Sequence, residues 1–130
     1  MAGYRTPLGR VRGLGSAKHG VGHFIGQRVS AIALIVLVLW AVYSALGLAQ
    51  FDYSGAQAWM RSPWHAIPLA FLLTAGLYHG NLGMRVVIED YIHKPFSKNA
   101  LLILSLFVCW LGVAIGVFSI LKVAFSGGAY

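Results

Sequence analysis

A histidine and an acid–phenol pair lie on one predicted helix. His79 precedes the adjacent residues Asp90 and Tyr91 by eleven and twelve positions. At about 100° per residue, eleven positions return a helix to within about 20° of the same face and advance it by roughly 16 Å. We therefore expect the imidazole and the pair to face one neighbouring surface at two depths.

The imidazole of His79 is a candidate metal ligand. Gly76, Gly80 and Gly83 lie near its face and remove side chains from it, so a flat group or another backbone can approach closely. A neutral histidine is a common protein ligand of haem iron. The alternative is that His79 only hydrogen-bonds across a helix interface while the glycines pack helices, and the spacing leaves both interpretations open.

Three further residues could bind a cofactor or a substrate. A phenol such as that of Tyr91 is a neutral donor, so it can donate a hydrogen bond to a quinone carbonyl without ionising. Asp90 could supply a proton to a reduced quinone. Their alternatives are an interfacial aromatic residue and a helix-end carboxylate paired with a cation. Arg28 needs an anionic partner, and a haem propionate, a quinone oxygen or a lipid phosphate would each serve.

The composition is typical of a membrane protein. Of 130 residues, 58% are apolar and only 10% are charged. The net charge of +7 comes from Lys and Arg at the ends of apolar runs, which favours lipid headgroups over nucleic acid as the partner. Cys109 is the only cysteine, so we expect it to be a small buried residue rather than half of an intrachain disulfide.

The apolar runs predict an all-α integral membrane protein with three transmembrane helices. Each run can cross roughly 30 Å of hydrocarbon at about 1.5 Å per residue. Pro63 suits a first helical turn, and Pro95 separates the second span from the third. The predicted spans are 29–49, 62–90 and 99–121, within a membrane region of 29–125. Before it lies a basic, glycine-rich arm, 1–28, expected to be extended, and after it a tail, 126–130.

The distribution of basic residues predicts the orientation. Eight Lys or Arg residues flank the spans on one side and two on the other. The larger group belongs in the cytoplasm by the positive-inside rule, with the N-terminus. The eight are Arg5, Arg10, Arg12, Lys18, Arg28, Arg85, Lys94 and Lys98, and the two are Arg61 and Lys122. The loop of 50–61 between the first two spans carries aromatic residues, which we expect to form a belt at the outer interface.

The motif His79-x-x-x-Gly83-Met84-x-x-Val87-x-x-Asp90-Tyr91 resembles that of the small membrane-anchor subunit of succinate dehydrogenase. The arm from Arg5 to Lys18 is similar to the alphaproteobacterial and mitochondrial-lineage version of that subunit. Length, spans and orientation agree, so the resemblance covers essentially the whole chain.

The resemblance implies a four-subunit succinate:quinone oxidoreductase in the bacterial inner membrane. A flavoprotein subunit with FAD would oxidise succinate, and an iron–sulfur subunit would pass the electrons to ubiquinone. This chain and a second membrane-anchor subunit would form a helical bundle around a shared haem b. The resemblance assigns the axial ligand to His79, quinone binding to Tyr91 and Asp90, and the vicinity of the haem propionates or the quinone to Arg28 and His23.

Two other classes of protein remain possible at this stage. A small proton-linked transporter or channel subunit would use His79 and Asp90 as a proton path, although the chain lacks inverted repeats and a second deep carboxylate. A cofactor-free membrane tether would need neither residue. The chain also lacks the clustered residues of a complete redox enzyme, so we expect it to be non-catalytic alone.

Overall fold

The computed structural model describes residue 4 and residues 6–13 and 20–126, and these form helices joined by short connections. No strand occurs in these ranges. The all-α prediction is therefore confirmed. The five helices are α1 (Pro7–Arg12), α2 (Gly20–Leu48), α3 (Tyr53–Arg61), α4 (Pro63–Tyr91) and α5 (Pro95–Phe125).

Helix α4 lies at the centre of the bundle. It packs against both α2 and α5, whereas α3 covers one end of α4 and α5. Two of the described helices, α2 and α5, are long and apolar enough to cross a membrane by themselves. Helix α4 has 29 residues but carries charged side chains in its last two turns, and its crossing remains a prediction.

Proline fixes the starts of two long helices as the sequence predicts. Pro63 and Pro95 stand at the first turns of α4 and α5, where the missing N–H breaks no intrahelical hydrogen bond. Pro68 lies inside α4. Ser62 precedes α4 as the N-cap residue, but its side chain makes no capping hydrogen bond.

The arm departs from its predicted extended conformation. Helix α2 begins at Gly20, nine residues before the predicted start of the first span at Val29. Helix α1 forms within the arm because the Thr6 side chain accepts a hydrogen bond from the Gly9 N–H at 3.0 Å. The expectation of an extended arm is therefore wrong for these two segments. The arm's Arg5 and residues 14–19 lie outside the described part of the chain.

The predicted loop between the first two spans contains helix α3. Asp52 caps its N-terminus by accepting hydrogen bonds from the Gly55 N–H at 2.8 Å and from the Ser54 hydroxyl at 3.0 Å. These two donors hold the pKa of Asp52 below its ordinary value of 3.8, the Gly55 N–H contributing most. Because the folded-state pKa is lowered, the cap is intact at neutral pH, and its contribution is lost as the pH falls below 3.8 and through the lower pKa of the folded state.

Trp59 stacks on aromatic rings of two other helices. Its ring stacks on His65 of α4 with centroids 4.2 Å apart, and on Trp40 of α2 with centroids 6.0 Å apart. The His65 Nδ1 lies 2.9 Å from the Trp59 carbonyl oxygen. This stack joins three helices at one end of the bundle, and the aromatic belt at the outer interface stays a prediction. Trp64 does point outward and is 84% exposed.

Two glycines allow α5 to approach α4 closely. A Cβ at Gly112 would lie 3.2 Å from the Leu77 side chain, and a Cβ at Gly116 would overlap the Leu73 side chain. Gly112-x-x-x-Gly116 is therefore a helix-packing motif. Cys109, one turn earlier, is buried as predicted and donates its S–H to the Leu77 carbonyl at 3.4 Å.

Replacing Gly116 by alanine is expected to destabilise the bundle. The new methyl group would force Leu73 out of its position, and overpacking of this kind costs about 1–3 kcal/mol. Thermal unfolding of the purified complex measures the effect as a lower Tm. Gly47→Ala is the matched control, because no atom lies within 4 Å of a Cβ there. Equal Tm values for the two variants would contradict the packing role of Gly116.

Candidate functional site

His79 is held by a hydrogen bond between α4 and α2. Its Nδ1 lies 2.9 Å from the Ser30 hydroxyl oxygen. Ser30 is 7% exposed, and its hydroxyl also donates to the Gln27 carbonyl oxygen at 3.2 Å. The side chain of His79 is therefore fixed by a buried residue that lies 49 positions earlier in the chain.

The contact suits the tautomer of His79 that can bind a metal ion. The Ser30 hydroxyl lies within hydrogen-bond distance of both the Gln27 carbonyl oxygen and the His79 Nδ1. When the hydroxyl proton goes to the Gln27 carbonyl, the Ser30 oxygen can accept from the Nδ1–H of His79, and the lone pair of the imidazole then lies on Nε2. A neutral imidazole with a free Nε2 and a bonded Nδ1–H is the form in which histidine ligates metal ions.

His79 lines an open cavity of about 620 Å³ between α2 and α4. The cavity brings together three of the five predicted site residues, His79, Arg28 and His23. No atom lies within 4 Å of a Cβ placed at Gly83, so the surface of α4 beside His79 is open to a neighbour, whereas Gly80 lines a separate pocket between α4 and α5. A flat ligand can approach the backbone there. The remaining lining residues are Gly20, Phe24, Gln27, Ala31, Gly83 and Val86.

Arg28 lies on the wall of this cavity without an acidic partner among the described residues. Its guanidinium stands over the Phe24 ring, 5.2 Å from the centroid. The ring orients the side chain by a cation–π contact and leaves the N–H donors available to an anion. His23 is oriented differently, since its Nε2 lies 3.4 Å from the Leu82 carbonyl oxygen and makes a weak hydrogen bond to it.

Asp90 and Tyr91 do not line the cavity of His79. They are the last two residues of α4, both are exposed, and the Tyr91 side chain is 76% exposed. Tyr91 follows His79 by twelve residues, which corresponds to about 18 Å of helix. The structure thus separates the five predicted residues into a cavity group of three and a pair at the helix end.

Charged side chains surround the pair. Arg85 and Glu89 form an i,i+4 ion pair on α4, with 2.9 Å between Nε and Oε1. The Lys98 ammonium donates to the Glu89 carbonyl at 3.0 Å, which ties the start of α5 to the end of α4. Asp90 makes no hydrogen bond or ion pair with residues 20–126, so its carboxylate is available to another molecule.

Residues 2–119 match the protein family described as the succinate dehydrogenase/fumarate reductase transmembrane subunit. The chain belongs to this family. The family resemblance is therefore confirmed. Both the family and the helices of the described residues indicate an all-helical membrane subunit.

Several relatives of this transmembrane subunit carry the name succinate dehydrogenase hydrophobic membrane anchor subunit. The one from Rickettsia bellii is 37% identical over 77% of this chain and 80% of its own length. The one from Rickettsia conorii is 34% identical over 82% and 85%. The one from Paracoccus denitrificans is 32% identical over 92% of both chains.

Ser30 is a residue of the site that the sequence did not predict. It stands two positions after Arg28, inside an apolar run, where a hydroxyl needs a hydrogen-bond partner. That signal identifies Ser30 as a polar residue in a span. It does not identify His79 as the partner, because the pairing depends on how α2 and α4 cross.

Proposed function

We propose that this anchor subunit of succinate dehydrogenase holds a b-type haem jointly with a second anchor subunit and contributes to the site of ubiquinone reduction. Electrons from succinate would thereby reach the quinone pool of the membrane. One observation carries the proposal: the buried Ser30 hydroxyl holds the Nδ1 side of the His79 ring, and His79 lines an open cavity in which its Nε2 could ligate iron.

The residues of the cavity fit a haem. His79 would ligate the iron through Nε2, and Arg28 would pair with a propionate, because its guanidinium has no acidic partner among the described residues. The open surface at Gly83 would accommodate the flat macrocycle. When bound, the haem would supply a one-electron redox centre within the membrane.

The second axial ligand would come from the partner anchor subunit. His23 lines the same cavity, but its Nε2 is engaged with the Leu82 carbonyl. We assign His23 to the vicinity of the propionates or the quinone instead. The open side of the cavity is the surface on which the second subunit would complete the helical bundle.

The quinone site would form at the end of α4. Tyr91 would donate a hydrogen bond to a quinone carbonyl, and Asp90 would hold or deliver a proton as the quinone is reduced. Both side chains are exposed in this chain, which leaves room for partner subunits to form the other walls of the site. The partners on this side would be the iron–sulfur subunit and the flavoprotein subunit that contains FAD.

The proposal includes a membrane topology for the three long helices. We propose that α4 crosses the bilayer between α2 and α5, with the N-terminus and the α4–α5 connection in the cytoplasm and the C-terminus in the periplasm. The basic residues support this orientation, because eight of ten lie on the proposed cytoplasmic side. The protein would then be a multi-pass protein of the bacterial inner membrane.

Affinity purification of a tagged chain tests the proposed assembly. We expect flavin and iron–sulfur subunits to co-purify, and the eluate to reduce a ubiquinone analogue with succinate. Recovery of the chain without these partners, together with proton transport by the isolated chain, would favour a transporter subunit.

Replacing Ser30 by alanine is expected to weaken haem binding about tenfold or more, the usual range for losing a residue that orients a metal ligand. The Nδ1–H of His79 would lose its acceptor. The haem content per complex after detergent washing measures the effect, and Ser30→Thr should restore it.

Ser119→Ala is the matched control for this substitution. The Ser119 hydroxyl bonds only to the Ile115 carbonyl of its own helix, at 2.8 Å. If Ser30→Ala and Ser119→Ala retain equal amounts of haem, Ser30 does not position the ligand.

A further inference from the structure

An apolar groove runs between α4 and α5 at the end of the bundle that holds Arg61. Its volume is about 460 Å³, and its lining includes the small residues Ala66, Ala70 and Ala124. We propose that this groove binds one acyl chain of an anionic glycerophospholipid whose phosphate pairs with Arg61. The proposal rests on α4 crossing the membrane, as in the proposed function, but not on a haem or a quinone.

The length of the groove matches the depth of one membrane leaflet. Its lining on α4 extends from Pro63 to Thr74, and on α5 from Val117 to Phe125. Eleven residues of helix rise about 16 Å, and half of a hydrocarbon core is about 15 Å thick. An acyl chain of the adjacent leaflet would therefore fill the groove from the headgroup level to the centre of the bilayer.

Arg61 supplies the charge that an anionic headgroup requires. It lines the mouth of the groove, is exposed, and has no hydrogen bond or ion pair within residues 20–126. The exposed Trp64 lies one turn further along and suits the headgroup level, where amphipathic rings concentrate. A planar guanidinium at this depth binds a phosphate through two N–H donors.

The floor of the groove favours hydrocarbon over a polar group. Thr74 is the one polar residue at its deep end, and its hydroxyl already donates to the Ala70 carbonyl at 2.8 Å. A quinone head placed there would find no free donor in the lining. An acyl chain needs none, and it would bury the exposed apolar side chains of the lining, Ile67, Phe71 and Phe125.

The groove also lies away from the proposed haem site. Ala70 precedes His79 by nine residues, a spacing that places the two on opposite faces of α4. The second anchor subunit would cover the face of His79 and leave the face of Ala70 to the lipid.

Native mass spectrometry of the purified complex tests this site. The complex in detergent is titrated with phosphatidylglycerol or with phosphatidylcholine, and bound lipids are counted. We expect wild type to retain one phosphatidylglycerol more tightly than phosphatidylcholine. Arg61→Gln should weaken that binding about fivefold, the usual effect of one cation near a lipid surface. Ala70→Phe, which fills the groove, should abolish it.

Two control variants separate the site from general effects. Lys122→Gln removes a charge near the end of α5 without touching the groove lining, and Ala45→Phe enlarges an exposed residue of α2. Both should bind phosphatidylglycerol as wild type does.

The proposal would be overturned if phosphatidylglycerol were retained equally by wild type, Arg61→Gln and Ala70→Phe. The same result is expected if another subunit fills the groove. The absorbance spectrum of the same samples reports on haem, so failure of the proposed function is detected separately.

Discussion

Replacing His79 by alanine should abolish the b-haem absorbance of the purified complex while the chain still inserts into the membrane. The substitution removes the Nε2 that Ser30 leaves free to bind iron, and methyl groups do not ligate iron. The cavity becomes larger but gains no charge, so the helices have no electrostatic reason to separate. The measurement is the reduced-minus-oxidised difference spectrum, normalised to the amount of complex.

His65→Ala is the control for this variant. His65 lies on the same helix but in its first turn, where its ring stacks on Trp59. The haem spectrum of this variant should be that of wild type. An unchanged spectrum in His79→Ala would remove His79 as the axial ligand, whatever the effect of the control.

Tyr91→Phe should slow ubiquinone reduction about tenfold, which corresponds to the loss of one neutral hydrogen bond at the upper end of the usual range. Phenylalanine keeps the ring and loses only the donor. Succinate oxidation measured with a soluble artificial acceptor should be unchanged, because that reaction does not use the membrane site.

Tyr43→Phe provides the matched comparison for the phenol. Tyr43 is an exposed tyrosine of α2, and it is distant in sequence from the end of α4. Both activities should survive this change. Equal loss of ubiquinone reduction and of artificial-acceptor reduction in Tyr91→Phe would contradict a role in quinone binding.

The sequence predicted the long helices well because their limits depend on local chemistry. Proline restricts the residue before it and tolerates the first helical turn, so Pro63 and Pro95 mark helix starts without knowledge of the fold. The starts of α2 and α3 depend on weaker signals. The glycines near Gly20 suggested an arm without helical structure, yet Gly26 lies within helix α2. At Gly26 the helix α4 packs closely, since the Tyr78 hydroxyl would lie 2.7 Å from a Cβ at this position.

The site was predictable only in part, for a related reason. Helical spacing places His79 and Asp90 on nearby faces of α4. Arg28 can be recognised as a candidate because a charged side chain inside a membrane span is energetically unfavourable without a partner. The hydrogen bond of Ser30 to His79 joins residues 49 positions apart and depends on the depth at which two helices cross. Spacing alone could not show that a buried hydroxyl holds the Nδ1 of the proposed ligand, or that Tyr91 lies outside the cavity.

The succinate-reduced minus oxidised absorbance spectrum of the native complex tests the central claim most directly. The account predicts a b-type haem, reduced by succinate, in about one copy per copy of this chain, since one free imidazole nitrogen serves one iron. A complex that contains the flavoprotein, the iron–sulfur subunit and both anchor subunits but has no haem absorbance would contradict it.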